Sequence, residues 1–300
     1  YIFLPWAKWL FDLLHPNLLA LVAAVFIAAA RTLYQGAMTR FGAGFTATLS
    51  SIITLQFAWA FYFSMGRVDD WPLRGVLWFM VVGMLGGLAG RYLSFYSMKA
   101  VGLARTSVLL QTSVIWSSAL AVLFLGERMT VLVGLGTLTI MIGAILLVYK
   151  GGKEQKAVSF ALYTVPLAAA FFQGMSHLFR KFGFFWISSA PLGMSIGNSM
   201  AVLSLIAVLP FTREKVPVSW ERRPLLMIFL GAVVNALAAI CFWTAVQKGD
   251  IILVIPINRL SILMMIFASW LFFRKQEAIT WRVIAGGVLS VAGACAIALG

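Results

Sequence analysis

The sequence predicts an all-α membrane protein of ten transmembrane helices, arranged as two inverted repeats of five helices each. Three observations carry that prediction. First, 62% of the 300 residues are hydrophobic and only 11% are charged, too little polar surface for a water-soluble domain of this length. Second, apolar runs of roughly 20 residues, the length that crosses a bilayer as a helix, recur between short polar breaks. Third, landmark residues of the first half return in the second half at nearly constant offsets.

In chain order, residues 1–16 are too short to span and read as an interfacial segment, with Trp6, Lys8 and Trp9 at headgroup depth. A first repeat, 17–150, holds spans at about 17–38, 45–66, 75–98, 104–125 and 130–149. A linker at 151–157 follows. The second repeat, 158–300, holds spans at about 158–179, 184–210, 224–247, 251–272 and 279–299. The connections are short, so neighbouring helices form antiparallel hairpins within one membrane domain.

The repeat is read from matched residues. Glu127, Thr130, Gly136 and Gly143 return as Glu277, Thr280, Gly286 and Gly293, each displaced by 150. Phe95-Tyr96-Ser97 with Gly102 matches Phe242-Trp243-Thr244 with Gly249 at an offset of 147, and Arg40-Phe41-Gly42 matches Lys181-Phe182-Gly183 at 141. Small loop insertions in a duplicated gene produce such drift. Five is odd, so the second copy enters the membrane in the opposite direction. Inverted repeats of this kind are common in secondary transporters, whose sites lie near the midplane at the repeat interface.

These features resemble the drug/metabolite transporter superfamily, in particular chains with two EamA-type repeats. The resemblance rests on Phe124-Leu125-Gly126-Glu127-Arg128 before a Gly-rich fifth helix, its echo at Gln276-Glu277, and the Phe-Tyr and Phe-Trp pairs late in the third and eighth spans. It implies a central cavity lined by helices 1, 3, 4, 6, 8 and 9, with helices 5 and 10 at the periphery. Two departures stand out. The proline common midway in helices 4 and 9 is replaced at about Val114 and Ser261, which puts a proline kink there in doubt, although Pro256 stands one turn earlier in helix 9. The second copy also has Lys275-Gln276-Glu277 where the first has Gly-Glu-Arg.

The net charge of +14 would suggest nucleic acid in a soluble protein, but the basic residues here lie between apolar runs, as expected of loops near anionic lipid. The expected partners are therefore a small-molecule solute and membrane lipids, with no nucleic acid, in a monomer or homodimer. Seven basic residues fall on one side, Arg180 and Lys181 among them, against thirteen on the other. The positive-inside rule puts the termini outside; the resemblance implies cytoplasmic termini in a bacterial plasma (inner) membrane, which is the expectation adopted. No Walker A, HExxH or GxSxG pattern occurs, and two cysteines (Cys241 and Cys295) with two histidines make no metal site, so no enzyme activity, nucleotide hydrolysis, metal or cofactor is expected.

Arg31, Arg91 and Arg259 fall inside spans, whereas all nine Asp and Glu fall at span ends or in loops. An intramembrane guanidinium is costly and needs an anion or several carbonyls. Either a substrate supplies that charge through forked hydrogen bonds, or each arginine snorkels or caps carbonyls. Asn258 beside Arg259, Gln111 at the matching place in helix 4, Asn235 and Gln35 are candidate orienting groups or interhelical hydrogen-bond partners. Asn198 is expected in the second role. Tyr96 and Trp243 are candidate aromatic walls or interface anchors, and His177 is a candidate proton carrier or a structural histidine. Gly83, Gly86, Gly87 and Gly90 form overlapping GxxxG patterns that permit close helix approach. Pro191 is expected to bend helix 7. The function expected is an exporter or exchanger of a small organic metabolite carrying an anionic group, working by alternating access. The alternatives are a flippase for a lipid-linked phosphate or lysolipid, and a non-transporting scaffold.

Overall fold

The computed structural model describes residues 14–65, 68, 70–126, 130–148, 160–211, 221–258, 260–273 and 280–299. These form ten helical spans, as expected. They are α1 Pro16–Ala37, α2 Ala43–Met65, α3 Leu73–Val101, α4 Leu103–Leu125, α5 Val131–Val148, α6 Phe160–Trp186, α7 Ala190–Val208, α8 Arg222–Lys248, α9 at 251–272 and α10 Trp281–Leu299. The interfacial segment expected at 1–16 lies outside the described residues but for its last three.

The sixth span differs from its expected bounds. The span expected to end at 179 continues through Gly183 to Trp186 in α6. Gly183 is a contact point: a Cβ there would come within 2.4 Å of the Phe79 ring. The turn falls later, at 187–189, where Ser189 Oγ accepts from Leu192 N at 3.3 Å. Pro191 therefore stands in the first turn of α7, where its missing N–H costs nothing, and does not bend the helix. Arg180 and Lys181, expected in a connection, become part of α6.

Three helices depart from α geometry, each for a local reason. α3 contains a π-helical stretch, Gly83–Gly90, made of the glycine patterns noted above. Their missing side chains let two helices press in: a Cβ on Gly87 would lie 2.2 Å from Ala201 Cβ of α7, and one on Gly86 would lie 2.7 Å from Ser176 Oγ of α6. α4 breaks at Leu110 and Gln111 into Leu103–Leu109 and Thr112–Leu125. There Thr112 Oγ1 donates to Leu109 O at 2.8 Å, and Ser113 N turns to Leu110 O at 3.1 Å. A side chain competing for a helix carbonyl loosens the α ladder, so helix 4 breaks without a proline. α9 breaks at the matching place, between Ile251–Asn258 and Ser261–Phe272. The bond Gln111 N to Val108 O recurs as Leu260 N to Ile257 O, each residue displaced by 149.

The packing shows the two-fold relation between the halves. α1 packs on α8 as α3 packs on α6, α4 packs on α6 as α9 packs on α1, and α2–α7 and α5–α10 pair with their own counterparts. The α5–α10 contact uses the repeated glycines reciprocally. A Cβ on Gly143 would lie 2.7 Å from Gly286 O, and one on Gly293 would lie 2.4 Å from Gly136 O. Displacing the first pair by the repeat offset gives the second. Such backbone-to-backbone packing is how helices associate where lipid removes the hydrophobic drive.

Gly143→Ala should therefore lower the apparent unfolding temperature in detergent by forcing α5 and α10 apart, at a cost of about 1–3 kcal/mol. Gly134→Ala, on the same helix but with nothing within 4 Å, should leave it unchanged or slightly raised.

Candidate functional site

A cavity with polar walls, of about 190 Å³, lies between α1, α2, α3, α6, α7 and α8. It forms where the glycine stretch of α3 faces α6 and α7. Gln173, Ser176, His177 and Arg180 enter it from α6 at spacings of three, four and seven, which is one helical face. Those polar residues explain why α6, at 27 residues, is not among the six described helices apolar enough to cross a bilayer by composition alone.

Three arginines line this cavity: Arg31 from α1, Arg91 from α3 and Arg180 from α6. None of the described helices contains an Asp or Glu. Arg91 Nη1 donates to Ser51 Oγ at 2.7 Å, while the Ser51 hydroxyl donates its own hydrogen bond to Ala47 O at 2.7 Å. Arg31 lies over the Phe95 ring at 5.2 Å and reaches Met98 Sδ at 3.5 Å. Arg180 is 7% exposed and stacks on Trp243 at 4.2 Å and Phe242 at 5.1 Å. Its Nη1 is 3.3 Å from His177 Nδ1, and its Nε has no hydrogen-bond partner. The aromatic faces hold the cation without neutralising it, and Nε keeps an unused hydrogen-bond donor.

Amides complete the wall. Gln173 Nε2 donates to Ser94 Oγ at 2.8 Å, and Asn235 Nδ2 donates to Thr54 Oγ1 at 3.4 Å. Asn198 lines the cavity and donates to Met194 O of its own helix at 2.9 Å, so it does not bridge helices there.

A second, smaller cavity of about 30 Å³ lies at the two helix breaks, where Gln111 of α4 and Asn258 of α9 face it. Ile27 and Arg31 line both cavities. Asn258 Nδ2 also donates to Ala20 O at 3.2 Å, tying the end of the first α9 segment to α1.

The candidates from sequence thus divide. Arg31, Arg91, His177, Asn235 and Trp243 meet at the larger cavity; Gln111 and Asn258 belong to the smaller one. The described residues of α4 and α9, helices expected to line the main cavity, line only the smaller, and α2 and α7 contribute to the larger. Gln35 is buried on α1, its Oε1 without a partner, and lines neither cavity. Tyr96 is 40% exposed and also lines neither, whereas Phe95 is fully buried beneath Arg31. The π stretch just upstream shifts the register of α3, so the position matching Trp243 in sequence turns outward. Arg259 lies outside the described residues. Arg180 and Gln173 had a sequence signal, the polar face of α6. A span ending at 179 cuts that face short of Arg180.

The EamA-like transporter family model matches this chain twice, over residues 15–149 and 155–299. A crystal structure described only as that of a protein covers 95% of this chain and 96% of its own, with a TM-score of 0.67 at 17% identity, which is a likeness of fold. No curated protein matches the sequence significantly.

If the indole face carries Arg180, Trp243→Leu should lower stability by about 2–4 kcal/mol, beyond the effect of Phe242→Leu, whose ring lies farther from the guanidinium. Apparent unfolding temperatures in detergent would rank the two.

Proposed function

We propose that this chain, which belongs to the EamA-like transporter family, carries a compact organic anion across the membrane. The family is one of membrane transporters, and the chain is an integral membrane protein of that kind. The observation that carries the finer reading is Arg180. It is buried on an aromatic shelf, with a nitrogen unpartnered, in a cavity of three arginines and no described carboxylate. A carboxylate or phosphate accepting from its Nε edge would satisfy it bidentately. Arg91 and Arg31 would share the charge, Asn235 and Gln173 would orient the polar part, and Phe242 and Trp243 would contact the apolar part.

The volume supports a small metabolite rather than a lipid-linked phosphate. About 190 Å³ is below the roughly 300–1,000 Å³ typical of drug-sized ligand sites. Transport would proceed by alternating access, one repeat rocking against the other across this cavity. With no carboxylate in the described helices, His177, in contact with Arg180, is the candidate to carry a coupled proton, and exchange of one anion for another needs no proton at all. On this reading the chain works as an exporter or exchanger in a bacterial plasma (inner) membrane, with both termini cytoplasmic.

The test is a thermal-shift screen of the purified protein against anionic, zwitterionic and cationic metabolites. Ligands of the native state raise its apparent stability by mass action. An anion class should stabilise the wild type, and Arg180→Gln should weaken its binding about 30-fold or more. Stabilisation by cations alone, or unchanged anion binding in Arg180→Gln, would refute the reading.

A further inference from the structure

The smaller cavity is too small for any organic solute. Its volume of about 30 Å³ is close to the share of a single water molecule in the liquid. Its polar wall is Arg31, Thr106, Ser107, Gln111, Asn258 and Ser261, and the rest is apolar. These groups come from α1, the first segment and the break of α4, and both segments of α9, so they converge where the two helices break at matching places.

Thr106 supplies the observation that points to an occupant. It is fully buried, it lines the cavity, and its hydroxyl has no hydrogen-bond partner. A buried hydroxyl left unpaired costs about 1–3 kcal/mol, so such groups normally meet a partner. Ser107 behaves differently, since its hydroxyl is committed to Leu103 O at 2.7 Å.

Charge selects the partner. Among the described residues, Arg31 is the one charged residue lining the cavity, and no described carboxylate lines it. A metal cation would face a guanidinium with no compensating oxygen anion. A carboxylate or phosphate group, with the molecule behind it, exceeds the space. A monatomic anion fits both limits, and hydroxyl and amide hydrogens are the donors that solvate one. We propose that this cavity binds a single halide, chloride under ordinary conditions, between Arg31, the Thr106 hydroxyl and the Gln111 and Asn258 amides. The site does not depend on which solute fills the larger cavity. Because Arg31 lines both, halide occupancy links the broken helices to the solute site.

The experiment measures thermal unfolding of the full chain in detergent while sodium gluconate is replaced by sodium bromide or chloride at constant ionic strength. It is paired with anomalous diffraction from bromide-grown crystals. The wild type should be stabilised saturably by both halides, with a bromide peak between Gln111 and Asn258. Thr106→Val, a near-isosteric change that removes only the hydroxyl, should raise the half-saturating concentration about tenfold. Arg31→Gln should abolish the response. Arg180→Gln, which disables the proposed solute anchor, should leave the halide response intact, so failure of one reading does not imply failure of the other. A wild type indifferent to halide, a bromide peak only beside Arg91 or Arg180, or an unchanged response in Thr106→Val would each overturn the proposal and leave the cavity to a water molecule.

Discussion

A guanidinium inside a helical membrane bundle needs a counter-charge or a surface of fixed dipoles, and no described helix of this chain contains a carboxylate. The structure meets that constraint with neutral groups. Arg91 is met by a serine that relays to a backbone carbonyl, Arg31 by an aromatic face and a thioether, and Arg180 by two aromatic faces and an imidazole. Each arrangement stabilises the cation without cancelling its charge. The arginines therefore keep a net positive potential in a low-dielectric cavity, where electrostatic attraction to an anion is strongest.

The close packing around the cavity follows from this requirement. To bring polar faces of α3, α6 and α8 together without filling the space between them, α3 carries glycine at four positions of its π-helical stretch. Gly83 lies against Gly197 O and Gly87 against Ala201 on one side, while Gly86 and Gly90 meet Ser176 and Gln173 on the other. A larger residue there would push α7 or α6 away and open the site. At the far edge of the molecule the same device serves a different end, with glycines of α5 and α10 joining the two repeats backbone to backbone.

The breaks in α4 and α9 show one geometry reached by two chemistries. In α4 a threonine hydroxyl takes the carbonyl that the α ladder would use. In α9 a proline, with no N–H to donate, stands a few residues before the break. The common outcome is an i to i−3 bond at matching positions in both copies. The two copies therefore share the position of the interruption and not the residue at it. Broken helices deep in a bundle are tolerated only where protein or a polar cavity satisfies the freed backbone, which is the setting both occupy.

By itself the sequence determined the class, the ten spans and the inverted duplication. Those depend on composition and on local periodicity, which each segment carries without its neighbours. It also singled out Arg31, Arg91, Asn235, His177 and Trp243 as candidates, because a polar or aromatic group in an apolar run is conspicuous wherever the run packs. Only the tertiary structure decided which of these meet. Whether Gly183 ends a helix or cushions the Phe79 ring depends on a contact with α3, and on that choice rests whether Arg180 is a loop residue or a cavity residue. Whether Tyr96 or Phe95 faces inward depends on a π stretch whose shift of register leaves no mark in residue spacing. Helix faces are set by the partners that press on them, and those partners lie many residues away in the chain.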